Sequence, residues 1–305
     1  MNLKNKDIIS INDMSKEEII YIINTAERIE KIDFSDLCRG KILGTLFFEP
    51  STRTRLSFES AMKRLGGSVI GFSSEDSTSR KKGETMYDTA KMIEGYTDII
   101  AIRHKVEGAS RLTAESVCIP VINCGDGANQ HPTQTLLDLF TIKKSHGTLD
   151  GLHIAMVGDL KYGRTVHSLA TAMAHFNTIL YFVAPNELKM PKYILEELDK
   201  KGVKYYINDK ITDIIDKVDI LYMTRIQKER FPDLMEYERV KSVYILRNSM
   251  LKNVKLGLKI MHPLPRVSEI HKEIDKSIHA HYFQQANNGV PVRMAIIALL
   301  LGCLK

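Results

Sequence analysis

The residues best suited to bind or activate a ligand lie just after an apolar run at 46–48. They combine hydroxyl and guanidinium groups: Ser51, Thr52, Arg53, Thr54 and Arg55. The pattern predicts that a helix begins here. Free backbone N–H groups and the positive end of a helix dipole attract phosphate, and hydroxyl groups donate further hydrogen bonds to it. A hydroxyl residue alone would be interpreted as an N-cap, its commonest role at a helix start. Two arginines within the same turn favour an anion site.

Two further predicted strands end in polar side chains. Arg103 follows the apolar run 99–102, and a glycine-rich segment after residue 123 leads to His131 and Gln134 at the start of another helix. Taken singly, His131 would more often cap a helix than contact a ligand. We interpret it as an exposed residue of a binding cleft because of the residues at neighbouring strand ends. Three successive strand ends offer Arg53, Arg103 and His131.

The second half of the chain carries a segment that mimics a phosphate-binding P-loop. Gly158 and Gly163 precede Arg164 and Thr165 after the apolar run 153–157, but a P-loop has lysine where Arg164 stands. No other apolar run is followed by the usual Mg²⁺-binding aspartate in clear form, and no GxGxxG dinucleotide motif is present. A protein that binds ATP or GTP remains the alternative to an enzyme acting on small anions.

Three other segments offer groups to a ligand. Arg225 and Arg230 follow the run 221–223, either as ligand contacts or as plain surface charges. Prolines stiffen the segment 262–266 after the last predicted strand and leave backbone carbonyls free to accept hydrogen bonds. The polar stretch Ser73–Lys82 is long and ends in a glycine, a composition typical of a lid, a binding loop or a flexible link.

Apolar runs rich in β-forming residues alternate with amphipathic helical segments along the whole chain. The runs predict these strands: Ile42–Phe48, Asp98–Ile102, Pro120–Asn123, His153–Val157, Ile179–Val183, Asp219–Met223 and Leu258–Met261. A long helix near Thr133–Ser145 separates two sets of them. Alternation of this kind predicts an α/β fold with two domains, each an open, mostly parallel sheet with helices on both faces. Ligands then bind beyond the carboxyl ends of the strands.

Composition excludes several classes of protein. The formal charge of +6 comes from cationic and acidic residues that are interleaved, without a basic tail, so nucleic acid is not an expected partner. No apolar run has the length that crossing a bilayer needs, and no membrane association is expected. The four cysteines lie far apart and form no CxxC pair. We therefore expect no metal site and a reducing, cytoplasmic location.

Several motifs together resemble the aspartate/ornithine carbamoyltransferase family. Residues 51–55 resemble the phosphate loop of its members, and residues 131–134, His-Pro-Thr-Gln, resemble their carbamoyl-binding segment. Ornithine-specific members typically carry a cysteine in the loop that matches 262–265, where this chain has proline. Residues 81–85, Lys-Lys-Gly-Glu-Thr, also match the aspartate-specific members. The resemblance implies a carbamoyl phosphate-binding domain at 1–132 plus 288–305 and an aspartate-binding domain at 133–287.

The resemblance also implies roles for individual residues. One group would bind carbamoyl phosphate: Ser51, Thr52, Arg53, Thr54, Ser79, Arg103, His131, Gln134 and the backbone carbonyls of Leu264 and Pro265. A second group would bind L-aspartate: Lys82, Arg164, Arg225 and Gln227. The implied catalytic residues are Arg53, Thr54, Lys82, Arg103 and His131. No cofactor is expected. The departing phosphate can itself accept the proton of the attacking amine, which explains why the sequence shows no obvious general base.

Assembly is a further implication of the resemblance. It implies a homotrimer with active sites shared between subunits, in which Ser79 and Lys82 reach the site of a neighbouring subunit. Zinc-containing regulatory chains that build a larger assembly are another implied partner. The resemblance also implies that Glu49 pairs with Arg164 and Arg230 in a closed state of the protein. Between trimers it implies contacts of Glu236 with Lys161 and Tyr162.

Overall fold

The computed structural model describes residues 1–226, 234–240 and 243–304, apart from the side chains at 77, 234 and 236. Its helices are α1 (Lys16–Ile29), α2 (Thr52–Arg64), α3 (Met86–Glu94), α4 (Ala109–Ser116), α5 (Pro132–His146), α6 (Arg164–Met173), α7 (Lys192–Lys200), α8 (Leu234–Val240), α9 (Tyr282–Asn287) and α10 (Gly289–Leu300). Its strands are β1 (Ile42–Phe47), β2 (Ser68–Phe72), β3 (Ile99–His104), β4 (Val121–Asp126), β5 (His153–Val157), β6 (Ile179–Val183), β7 (Lys204–Asn208), β8 (Ile220–Met223) and β9 (Lys259–Met261).

The chain divides into two compact units, residues 1–140 with 288–305 and residues 141–287. The division falls inside α5. The first unit contains a parallel sheet with the strand order β2-β1-β3-β4. The second unit contains a parallel sheet with the order β7-β6-β5-β8-β9. Two parallel sheets accompanied by helices confirm the predicted fold class.

Local sequence signals explain where several helices begin and end. Ser15 and Glu18 form the expected capping box of α1, in which each side chain accepts a hydrogen bond from the other residue's backbone N–H. Pro132 is the first residue of α5, where its missing N–H costs no helical hydrogen bond. The same position was predicted for Pro191, but that residue is the N-cap and α7 begins one residue later.

Every predicted strand is present, and two strands were not predicted. These are β2 and β7, which each lie at one edge of their sheet and consist of exposed or half-buried residues. The central strands β1 and β8 are buried along almost their whole length, as continuous apolar runs in parallel sheets require. None of the helices in the described part of the chain combines the length and the apolarity needed to cross a membrane.

Candidate active site

The order of the strands places a ligand-binding edge in the first unit. From β1 the chain moves to β2 on one side and then to β3 on the other, so the loops after β1 and β3 diverge. Such a switch point opens a crevice beyond the carboxyl ends of the strands. In the register of the two strands Phe47 lies beside Arg103, and the Phe48 N–H donates to the Arg103 carbonyl at 2.9 Å. The segment 51–54 and Arg103 therefore emerge at the same edge.

The phosphate-loop residues occupy the first turn of α2. Ser51 is the N-cap in extended conformation, and its side chain makes no capping hydrogen bond. The simple capping interpretation is therefore not supported for this hydroxyl group. Thr52 and Arg53 are exposed, whereas Thr54 is buried. The first turn of a helix of this length leaves N–H groups to be satisfied by a ligand or water.

Arg103 is held at the end of β3 by two neighbours. Its Nη1 donates to the Cys124 carbonyl oxygen at 3.2 Å, and its Nη2 lies 3.2 Å from Oε2 of Glu49. Only 12% of the Arg103 side chain is exposed, compared with 31% of the Glu49 side chain. A partly buried guanidinium fixed in this way presents a preorganised positive charge at the switch point.

A buried carboxylate shapes the loop that leads to His131. Both oxygens of Asp126 accept hydrogen bonds, from the side chains of Asn123 and Asn129 and from the backbone N–H groups of Gly108 and Gln130, at 2.9–3.1 Å. The loop therefore delivers the start of α5 in a defined position. The carbonyl of His131 accepts the N–H groups of residues 134 and 135.

The position of His131 corrects the sequence interpretation. Its side chain was expected to be exposed, but the residue is only 5% exposed. The helix start beside it packs tightly, since Thr133 and Thr135 are fully buried. Gln134, by contrast, is half-buried, and its Nε2 donates to Asp138 at 2.9 Å.

The polar stretch that follows β2 folds into two short 3-10 helices, Glu75–Ser77 and Ser79–Lys82. Glu75 accepts hydrogen bonds from Arg80 at 3.1 Å and from Lys105 at 3.0 Å, which hold the pKa of its carboxyl below the ordinary value. Ser79 and Lys82 are exposed.

The second unit repeats the same topological feature. From β5 the chain passes to β6 and β7 on one side and then to β8 on the other, so a switch point lies between β5 and β8. The Asp159 N–H donates to the Thr224 hydroxyl at 3.0 Å. At Gly158, with φ +115°, an added Cβ would lie 2.5 Å from the Thr224 carbonyl oxygen, so a side chain would not fit. The two loops are therefore in direct contact.

A pocket in the second unit opens at this switch point, and its wall includes Gly158, Thr224, Arg225, Tyr237, Ser268 and Glu269. Arg164, the other arginine predicted to bind a carboxylate, is the first residue of α6 and is half-buried. Predicted contacts that involve Gln227, Arg230 and the side chain of Glu236 fall outside the described residues.

The proline-containing loop after β9 is fixed by a buried pair. The Leu264–Pro265 bond is cis, and the Leu264 N–H donates to Nδ1 of His262 at 2.7 Å. Since Nδ1 accepts, Nε2 of His262 carries the proton and donates to Glu269 at 2.7 Å. Glu269 also accepts the N–H groups of Val267 and Ser268. The carbonyls of residues 264 and 265 are thus held by interactions within the second unit.

Two family profiles match this chain in succession. Residues 6–144 match "Aspartate/ornithine carbamoyltransferase, carbamoyl-P binding domain", and residues 150–300 match "Aspartate/ornithine carbamoyltransferase, Asp/Orn binding domain". The chain belongs to the aspartate/ornithine carbamoyltransferase family. The match to the second profile includes the segment 158–165. The likeness of this segment to a P-loop therefore does not indicate a nucleotide-binding protein.

Similar members of the carbamoyltransferase family come from several organisms. The aspartate carbamoyltransferase catalytic subunit of Thermococcus kodakarensis is 60% identical, with 100% of this chain and 99% of the relative covered. The catalytic subunit of M. jannaschii aspartate transcarbamoylase has a TM-score of 0.91 at 51% identity, with 97% and 98% covered. The Trypanosoma cruzi aspartate transcarbamoylase in complex with carbamoyl phosphate and aspartate has a TM-score of 0.92 at 37% identity, with 98% of each chain covered.

Sequence reasoning missed three acidic residues that lie close to the predicted ligand-binding segments: Asp126, Asp138 and Glu269. Each is an isolated carboxylate in the sequence, and each is at least 90% buried. A buried carboxylate must be hydrogen-bonded or paired, so acidic residues inside apolar segments are the signal that could have found them. Among the described residues, no group of three or more His, Cys, Asp and Glu side chains could hold a metal ion.

Glu269 makes the stability of the carbamoyltransferase fold depend on pH. Burial raises the pKa of its carboxyl, but the hydrogen bonds from His262 and from the Val267 N–H bring it below the ordinary value. A folded-state pKa below the unfolded value, about 4.3, stabilises the fold above that pH, and the contribution disappears as pH falls through the folded pKa.

We therefore expect Glu269→Gln to lower the free energy of unfolding by about 1–3 kcal/mol at neutral pH. The difference from the parent should shrink in acid, because glutamine does not titrate. Urea unfolding between neutral pH and pH about 3.5 measures this. The control is Glu196→Gln on an exposed position of α7. A deficit that is constant with pH would contradict the role given to the Glu269 charge.

Proposed function

We propose that this chain transfers the carbamoyl group of carbamoyl phosphate to the α-amino group of L-aspartate, giving N-carbamoyl-L-aspartate and phosphate. The observation that carries the proposal is the first switch point, where an uncapped helix start with hydroxyl groups meets the fixed guanidinium of Arg103. The names of the similar catalytic subunits support aspartate as the second substrate. The proline in place of the cysteine typical of ornithine-specific members supports the same choice.

The first unit is proposed to bind carbamoyl phosphate. The N–H groups of the first turn of α2 and the hydroxyl groups of Ser51, Thr52 and Thr54 would surround the phosphate, with Arg53 and Arg103 neutralising its charge. Thr54, Arg103 and His131 would donate to the carbonyl oxygen. Ser79 is proposed as a further phosphate ligand, supplied by a neighbouring subunit.

The second unit is proposed to bind L-aspartate through Arg164, Arg225 and Gln227, because guanidinium groups match carboxylates with two parallel hydrogen bonds. Lys82 would contact both substrates. The carbonyls of Leu264 and Pro265, held by the His262–Glu269 pair, would accept hydrogen bonds from the carbamoyl NH2 group.

The proposed reaction needs no covalent intermediate with the protein. The α-amino nitrogen attacks the carbonyl carbon, the C–N bond forms, negative charge develops on the carbonyl oxygen, and the C–O bond to phosphate then breaks. The departing phosphate takes the amine proton. Each preorganised donor at the developing oxyanion contributes roughly 3 kcal/mol, and positioning of both reactants contributes roughly 7–11 kcal/mol.

The reaction would serve de novo synthesis of pyrimidine nucleotides such as UMP in the cytoplasm. The proposed assembly is a homotrimer in which Ser79 and Lys82 of one subunit complete the site of its neighbour, and zinc-containing regulatory chains are proposed partners of a larger particle. The exposure of both side chains supports a role outside their own unit. The mass of the purified particle, alone and from its native source, tests the two levels of assembly.

Purified chain mixed with carbamoyl phosphate and L-aspartate is expected to release phosphate and N-carbamoyl-L-aspartate in equal amounts. Because carbamoyl phosphate is already activated, product should form without ATP and in the presence of EDTA. Assays with L-ornithine in place of L-aspartate provide the matched comparison. Faster product formation with L-ornithine would overturn the substrate assignment. Mg²⁺-dependent ATP hydrolysis without carbamoyl transfer would overturn the reaction itself.

A further inference from the structure

Gln134 is in contact with a carboxylate one helical turn away on α5. Its Nε2 donates to Oδ1 of Asp138 at 2.9 Å. Asp138 has no exposed surface, whereas Gln134 is half-buried at the edge where the candidate site opens. The four-residue spacing places both side chains on one face of the helix. A buried carboxylate thus lies directly behind a proposed substrate ligand.

The chemistry of a carboxylate decides how the Gln134 amide is oriented. An ionised carboxylate only accepts hydrogen bonds, so the NH2 end of the amide must face Asp138. The carbonyl oxygen Oε1 of Gln134 then faces away from Asp138 and remains an acceptor. An NH2 group on a ligand, which can only donate, requires such an acceptor.

A buried guanidinium on α10 interacts electrostatically with Asp138. Arg293 on α10 is 3% exposed, and its Cζ lies 5.1 Å from the ring centroid of Phe58 on α2. Burial lowers the pKa of Arg293 to about 10, while Cys124 and Asp138 act in the opposite direction, so the guanidinium is charged at neutral pH. Each buried charge offsets part of the desolvation cost of the other.

The helix that carries Arg293 is adapted to this arrangement. A Cβ added at Gly289, one turn earlier on α10, would lie 2.2 Å from Nη1 of Arg293. Any side chain at this position would therefore push the guanidinium away. Glycine leaves the space that the guanidinium occupies.

We propose that the buried Asp138 is a positioning residue that fixes the Gln134 amide so that the site selects a carbamoyl group by its NH2. Asp138 itself does not touch the substrate. The inference rests on the proposed function, because it assumes that Gln134 contacts the carbamoyl group. It adds a determinant of specificity behind that contact.

The test compares two stable ligands that differ only in the group under discussion. Phosphonoacetamide carries the NH2 group, and acetonylphosphonate carries a methyl group in its place. Calorimetry on the parent protein should show tighter binding of the amide. Asp138→Ala removes the acceptor, and Asp138→Asn removes the charge and adds a competing donor. In both variants we expect the preference for the amide to fall roughly ten- to a hundredfold, with binding of acetonylphosphonate nearly unchanged.

A double-mutant cycle separates positioning from a general structural role. In Gln134→Ala, which has lost the amide, adding Asp138→Asn should leave the remaining preference unchanged, since the second change acts only through the first. Gly289→Ala, which displaces the Arg293 guanidinium, should reduce the preference in the presence of Gln134. Equal effects of Asp138→Asn with and without Gln134 would overturn the positioning role.

The two levels of the proposal fail in different ways. A parent protein that binds neither phosphonate, or binds both equally, would overturn the proposed function together with this inference. A parent that prefers the amide, with the preference retained in Asp138→Ala and Asp138→Asn, would overturn the positioning role alone. An unchanged preference for the amide in Gly289→Ala would show that Arg293 does not contribute to the positioning of Gln134.

Discussion

Arg103→Ala is expected to lower kcat/KM by roughly two to three orders of magnitude, because it removes a fixed charge from the phosphate and a donor from the developing oxyanion. The effect should be large because the guanidinium is prepositioned by the Cys124 carbonyl and Glu49 before any ligand binds. Steady-state kinetics with both substrates varied measures it. Arg103→Lys keeps the charge without the planar fork and should recover only part of the loss.

Arg55 offers a matched control for this prediction. It lies one helical turn into α2, close to the same segment, but its Nε is paired with Glu59 at 2.6 Å. Arg55→Ala should therefore leave kcat/KM within a few-fold of the parent. Thermal unfolding of both variants distinguishes a loss of catalysis from a loss of stability. Removal of the Arg103 contacts should lower the free energy of unfolding by about 1–2 kcal/mol. Similar kinetic losses in the two variants would contradict a specific role for Arg103.

The sequence predicted the buried strands of both sheets and missed one exposed edge strand in each of them for a physical reason. Central parallel strands such as β1 and β8 must be apolar on both faces, so they are visible as continuous apolar runs. Edge strands β2 and β7 have exposed faces, and their mixed composition resembles that of loops. Their pairing is decided by neighbours in the sheet, which a single sequence does not reveal.

The candidate site was predictable to the extent that its groups follow strands. Ser51, Arg103 and Arg225 could be chosen as candidates because ligand-binding residues of α/β folds concentrate after the carboxyl ends of strands. The burial of His131 was not predictable, since it depends on packing around the start of α5. The proposed role of Asp138 was equally hidden, because the buried Arg293 that interacts with it electrostatically lies more than a hundred residues away in the sequence.

Two inactive variants are expected to restore activity when their subunits are mixed. Lys82→Ala should be nearly inactive because the proposed site loses a cation that contacts both substrates, and His131→Ala because it loses a donor to the carbonyl oxygen. Lys82 is exposed at the end of a 3-10 helix. The nearby Arg80 is hydrogen-bonded to Glu75 of its own unit, and its Cζ lies 5.5 Å from the centroid of the Phe48 ring. Such an anchored segment can present Lys82 to another subunit.

In a randomly reassociated equal mixture of the two variants, about one site in four should combine an intact Lys82 with an intact His131, provided the closed trimer shares its sites. Activity should then rise from near zero to about a quarter of the parental value, because each intact site works with wild-type residues only.

The control mixture is Arg103→Ala with His131→Ala. Both of these residues belong to the first unit of one chain, so the control should recover nothing. Hybrid formation is verified by native mass spectrometry. Verified hybrids of the Lys82 and His131 variants that stay inactive would show that one chain supplies both residues, and the assignment of Lys82 to a neighbouring subunit would be wrong.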